Sequence, residues 1–123
     1  MFTSQLFRPG VVMPKNADAD VLLRTIANLP DQFENECEII SLNDIFDIVW
    51  YSKFFFDLGE ICQTDISDHE DYTIHPRYLS DILALIERKY SRSPNRKLSD
   101  FFLSLKAMCE KAQQLNFSLH LEL

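Results

Sequence analysis

Apolar residues recur at helical spacing along most of the chain and alternate with polar ones only at its end. The clearest run is Leu79, Ile82, Leu83, Ile86 and Tyr90, which predicts a helix from Pro76, a residue suited to a first helical position, to about Tyr90. A second stripe, Leu98, Phe101, Phe102, Leu105, Met108, Cys109, Ala112 and Leu115, predicts a last helix beginning at Ser99 or Lys97 and ending near Leu115. Leu22, Ile26 and Leu29 mark a first helix, capped by Asn16 or Asp18, running to about Asn28 and closed by Pro30.

Two stretches are harder to read. In DQFENECEII, residues 31–40, Phe33, Cys37 and Ile40 have helical spacing while NECEIIS has the look of a short strand; we read it as helix. Ser41 followed by Asp44 resembles a capping box and opens the longest apolar segment, LNDIFDIVWYSKFFFDLGEIC, read as a further helix. Leu42, Ile45, Phe46 and Val49 form one face, but Ile48, Trp50, Tyr51, Phe54, Phe55 and Phe56 carry apolar surface nearly all round. Such a helix is either central to the core or partly covered by a partner.

Residues 1–14 hold two prolines and one of only two glycines, and read as an irregular arm. Residues 63–75 lack sustained periodicity and read as an acidic loop long enough to suggest function. At the C-terminus, Phe117, Leu119, Leu121 and Leu123 alternate with Ser118, His120 and Glu122, the period of a half-buried strand. Its partner would be the arm around Gly10 to Met13 or the NECEIIS segment. The expected fold is therefore mainly α, a bundle of about four to five helices in one domain spanning residues 1–123, with a small two-stranded β element involving the C-terminal segment.

Composition supports a folded chain, since 46% of residues are hydrophobic and 12% aromatic, too much apolar mass for disorder. Arg8, Pro9, Gly10, Pro14 and Lys15 interrupt the N-terminal region before it reaches signal-peptide length, and no later stretch has membrane-spanning length. A cytoplasmic location and no membrane association are the expectation. Cys37, Cys62 and Cys109 are odd in number and widely spaced, which suits buried thiols in a reducing compartment rather than a disulfide framework.

Charge changes the picture most. Residues 25–76 hold twelve acids and one base, Lys53, whereas residues 1–24 carry +1 and residues 77–123 carry +3, within a net charge of −7. The stretch DISDHEDYTIHP, residues 65–76, concentrates this excess, and aromatics such as Phe33, Phe46, Trp50, Tyr51, Phe54, Phe55 and Tyr72 are interleaved with it. Such a field repels nucleic acid and attracts basic ligands. Two readings stand side by side: a solvated acidic face, or an interface of aromatic anchors inside a single-sign field.

Specific chemistry finds little support. Asp65, Asp68, His69, Glu70, Asp71 and His75 are all competent metal ligands, yet the EF-hand glycine is missing and His69-Glu70 does not continue as H-E-x-x-H, so no metal is expected. There is no G-x-S-x-G elbow and no Gly-rich phosphate loop, and with two glycines in all, neither an enzyme nor a cofactor is expected. Arg88, Lys89, Arg92, Arg96 and Lys97 would suit a phosphate backbone in a neutral protein, but they also suit a helix C-terminus and the turn after it. Direct nucleic-acid binding is not expected.

In size, acidity, free cysteines, helical pattern and lack of catalytic motifs, the chain resembles the small acidic cytoplasmic immunity proteins of bacterial contact-dependent inhibition and other polymorphic toxin systems. The resemblance is one of class, and no family residue is carried over. It implies an inhibitor that caps the active site of a basic nuclease toxin, with carboxylates standing where substrate phosphates would sit. The residues expected at the interface are Asp65, Asp68, Glu70 and Asp71 as ion-pair partners, Asp44 and Asp47 as sources of field, and Trp50 and Tyr72 as packing. The alternative is a small acidic secretion chaperone or helical adaptor that binds a client along an apolar groove. A small hydrolase is a more distant third.

Overall fold

The computed structural model describes residues 9–25, 32–68 and 70–123. Among them the elements run β1 (Gly10–Pro14), α1 (Ala17–Thr25), a 3₁₀ turn (Phe33–Glu36), β2 (Cys37–Ser41), α2 (Phe46–Tyr51), α3 (Phe54–Cys62) and β3 (Asp71–Ile74). A 3₁₀ turn (Pro76–Tyr78), α4 (Leu79–Leu85) and a π turn (Ile86–Tyr90) then form one continuous helical run, followed by α5 (Arg96–Leu115) and β4 (Leu119–Glu122). The four strands make a single antiparallel sheet in the order β2-β1-β4-β3. The fold is α+β, which corrects the expected mainly α bundle with a two-stranded element.

The strands were hidden for physical reasons. β1 sits between β2 and β4, with Val11 and Met13 packed under the helices on one face and Val12 buried on the other. A strand buried on both faces reads as a continuous apolar run rather than an alternation. β2 falls where a helix was read. Its Glu38 lies on the side that faces the helices of the main core and pairs with Lys111 of α5 at 2.8 Å, so a polar residue occupies an inward strand position and breaks the alternation. β3 lies inside the expected acidic loop. Tyr72 and Ile74 face the core and Asp71 and Thr73 face away, but four residues are too few for the period to show.

The main core lies between the sheet and the helices α2–α5. Val11, Met13, Leu119, Leu121 and Leu123 meet Val49, Leu58, Leu79, Ile82, Leu105 and Cys109 there. Phe54 stands at the centre of its aromatic part, 5.0 Å from Phe102 and 5.3 Å from Tyr90 between ring centroids, both edge-on. The opposite face of the sheet, with Val12 and Cys37, is covered by α1 and the 3₁₀ turn through Ala19 and Phe33.

The two long amphipathic segments lie close to where the spacing placed them. Asn95 caps α5 by accepting the Leu98 amide on its side-chain oxygen at 3.1 Å. Asn16 does the same for α1 through the Ala19 amide at 2.8 Å; the expected extension of that helix to Asn28 lies outside the described residues. The C-terminal strand does pair with the Gly10–Met13 segment, and NECEIIS pairs with that segment's other edge.

Candidate functional site

The expected single helix across residues 42–62 is broken in two, and the break builds a cleft. At Ser52 the hydroxyl donates to the Val49 carbonyl at 2.6 Å and accepts from the Phe54 amide at 3.2 Å, which closes α2 and opens α3. Lys53 takes a left-handed conformation at φ 73°, a strained choice for a side-chain-bearing residue. Ser41 caps no helix here; its hydroxyl accepts from the Asn43 amide in a local turn at 3.3 Å.

At the far end of α3, Gln63 is also left-handed, and its amide and that of Thr64 both reach the Gly59 carbonyl. The chain then folds back along α3 so closely that the Thr64 carbonyl oxygen lies 2.6 Å from where a Cβ on Gly59 would be. This return forms one side of an open cleft of about 570 Å³. Trp50, Phe55 and Phe56 give it aromatic walls, Glu60 and Asp65 supply carboxylates, Lys53 supplies a cation, and Gly59, Gln63, Thr64 and Ile66 complete the lining.

Trp50 is both strut and contact. Its ring stacks on Phe46 at 5.7 Å and leans on Phe55 at 5.8 Å, packing against the main core, while its remaining surface lines the cleft. Phe56 lines the same cleft and is 67% exposed, and Tyr51, next in sequence to Trp50, is 77% exposed. A single exposed aromatic is ordinary, so it is the grouping of Phe56 with Trp50 and Phe55 in one cleft that marks this surface. The segment 45–56 thus divides, with Val49, Phe54 and Phe55 in the core and Tyr51 and Phe56 at the surface.

Of the residues expected at an interface, the structure brings Trp50 and Asp65 into this cleft. Asp44 and Asp47 are exposed at the start of α2, outside the cleft lining. Asp68 and Glu70 are exposed in the loop, and Asp71 opens the edge strand β3 opposite Glu122. Neither Asp68 nor Asp71 lacks a partner within the chain. Tyr72 is half-buried on the core side; its hydroxyl accepts from the Ser67 amide at 2.8 Å and donates to Glu70 at 3.0 Å, which organises the loop from inside. Phe56, Gly59 and Glu60 were not among the residues expected at an interface, and Phe55 entered only as one of the aromatics interleaved with the acids. The signal for them was Gly59 itself, one of two glycines, set inside an apolar helical run where a glycine is costly unless something approaches it closely.

A second polar cluster lies under α1. His120, expected on a polar side of the terminal strand, is 3% exposed because that side is covered. Its Nε2 stands 3.1 Å from Asp20 Oδ1 and its Nδ1 3.3 Å from Thr73 Oγ1, while Arg24 pairs with Asp20 at 3.1 Å. The carboxylate can only accept, so Nε2 carries the proton and Nδ1 accepts from the threonine. Burial pushes the His120 pKa down and Arg24 adds to this, against the opposing pull of Asp20. The order hydroxyl, imidazole, carboxylate is that of a hydrolytic triad, but here it ties β3, β4 and α1 together. Neither the cleft nor an open cavity beside Asp18, Leu22 and Glu36 includes Thr73 or His120.

Elsewhere, Asp57 and the three thiols are committed to structure. Asp57 of α3 accepts from Lys89 Nζ at 2.7 Å and from the Tyr90 hydroxyl. Burial raises its pKa, but those two hydrogen bonds and the neighbouring Lys89 and Arg88 charges outweigh it and leave the carboxyl below its usual range. Burial pushes the thiols of Cys37 and Cys109 up to about 12, with nearby Glu36 and Glu110 adding to the shift. Cys62 is raised by burial alone. Among the described residues no three His, Cys, Asp or Glu side chains converge as a metal site would require. No helix of the described residues is long and apolar enough to cross a membrane.

No protein-family model matches the chain, and neither a curated protein nor a solved structure does.

Proposed function

We propose that the protein is a binding module whose acidic, aromatic cleft docks a basic protein partner, and that it acts as an inhibitor of the immunity-protein kind. The observation that carries this reading is the pairing, in one cleft, of Phe56 and Trp50 with the carboxylates of Glu60 and Asp65. Aromatic anchors supply contact area at low entropic cost, and the surrounding negative charge speeds encounter with a positive surface. The excess of twelve acids over one base between residues 25 and 76 is the source of that field.

A basic nuclease toxin fits this chemistry, since its active site is built to hold phosphates and carboxylates can occupy the same positions. The role is one of binding and needs no metal, cofactor or catalytic group from this chain. The test is affinity capture from native lysate at low and high salt, with wild type and a Glu60→Gln, Asp65→Asn double variant, and mass spectrometry of what is retained. A basic nuclease domain retained by wild type, less by the variant and less at high salt, is the expected result. A client held equally under all four conditions would favour the chaperone or adaptor reading instead.

A further inference from the structure

We infer that the cleft between α2 and α3 is an arginine receptor: the partner inserts an arginine whose guanidinium lies against Trp50 and Phe56 and is held by Glu60 and Asp65. The inference rests on the proposed binding role and names the chemistry of the group that enters.

The acids of this chain differ in what they have left to give. Asp20, Glu38 and Asp57 are paired with Arg24, Lys111 and Lys89, Glu70 accepts from Tyr72, and Asp68 and Asp71 are not without partners. Among the described residues Glu60 and Asp65 have no ion pair or side-chain hydrogen bond, yet they line the same cleft. Two uncommitted carboxylates beside an aromatic wall call for a cation with a flat face. Arginine meets both demands, because its planar guanidinium stacks on rings and presents paired donors to a carboxylate. Lysine is a compact, strongly hydrated point charge and gains less from the rings.

The cleft also has room for this. Its volume of about 570 Å³ is in the range of sites that enclose whole ligands, so neighbouring partner residues enter with the arginine. Lys53 on the wall sets the net charge of the lining at −1, from two carboxylates and one ammonium, and it leaves an incoming cation favoured but not strongly trapped. Affinity for an isolated arginine is accordingly weak, and tight binding comes from the surrounding field and surface.

Trp50 is the one tryptophan of the chain and lines the cleft, so its fluorescence reports occupancy directly. Full-length protein is titrated with a blocked Gly-Arg-Gly tripeptide, with the lysine analogue, and with the citrulline analogue, which keeps the shape and loses the charge. The expected result is a saturable change with the arginine peptide, weaker binding of the lysine peptide and none of the citrulline one. Glu60→Gln and Asp65→Asn should each weaken the arginine peptide roughly fivefold, the size of an exposed charge pair. Coincident arginine and citrulline curves, or no saturable change with the arginine peptide, would overturn the inference, and this comparison uses wild type alone. Capture of a basic partner together with a negative peptide titration would sink the arginine assignment while leaving the binding role intact. A positive titration with no basic partner captured would support the arginine receptor and count against the proposed inhibitor.

Discussion

The Thr64 carbonyl oxygen and the α-carbon of Gly59 approach so closely that a Cβ on residue 59 would sit 2.6 Å from that oxygen. The contact lets the acidic loop turn back along α3 and brings Asp65 to the aromatic wall. A glycine inside a helix ordinarily destabilises it, so Gly59→Ala would be expected from propensity alone to add about 1 kcal/mol of stability. Because the opposing atom is backbone and has no side-chain freedom to yield, we expect the reverse, a loss of about 1–3 kcal/mol by urea denaturation. A stabilised variant would show that the loop return is not fixed as described.

Lys53 is the second constrained point of the same cleft. Its left-handed backbone suits glycine, and its ammonium opposes any cation that enters. Lys53→Gly should therefore keep or raise stability, by up to about 1 kcal/mol, and should tighten binding of the arginine peptide as read by Trp50 fluorescence. Weaker peptide binding by a folded Lys53→Gly protein would assign the lysine an attractive role.

These two positions also show how far the sequence could be read. The helices at 76–90 and 96–115 were legible because each carries a full apolar stripe, and the terminal alternation correctly marked a strand. The α2–α3 break was not, because it uses Ser52 and Lys53 rather than glycine or proline, and a lysine in a left-handed turn leaves no compositional mark. The segments that hold β1 and β2 were offered only as alternative partners of the terminal strand, one inside an irregular arm and the other read as helix, and β3 was missed because it is a short edge strand inside a polar segment. For the candidate cleft, the run of acids with interleaved aromatics drew attention to the segment that lines it, including Trp50 and Asp65. It could not show that Asp57 and Glu38 were already paired, because those contacts join residues far apart in sequence.

The buried His120 should make stability depend on pH. Its folded pKa lies below the ordinary 6.5, so below that value the unfolded chain binds a proton that the folded one refuses. Stability from this group is complete above about pH 6.5 and is lost as pH falls towards the folded pKa. Urea midpoints measured between neutral and mildly acid pH should decline for wild type, and more steeply than for His120→Gln. Parallel slopes would place the titration elsewhere.

The three cysteines should differ in reactivity. Cys37 and Cys109 are buried with thiols pushed up to about 12, whereas Cys62 at the end of α3 is only partly covered. A maleimide reagent at neutral pH is expected to label Cys62 first in the native protein and the other two only on unfolding, as followed by mass spectrometry. Fast native labelling of Cys109 would contradict its place at the centre of the core.

Docking of a basic partner on the cleft would show itself in the kinetics of association. With a purified partner from the capture experiment, the rate constant is measured by stopped-flow Trp50 fluorescence over a range of ionic strength, for wild type and for the Glu60→Gln, Asp65→Asn variant. The rate should fall steeply with salt, with a lower rate and shallower salt dependence for the variant, and a Trp50 signal in both. A rate indifferent to salt and to the loss of the two carboxylates would place the partner, if one binds, on another face of the molecule.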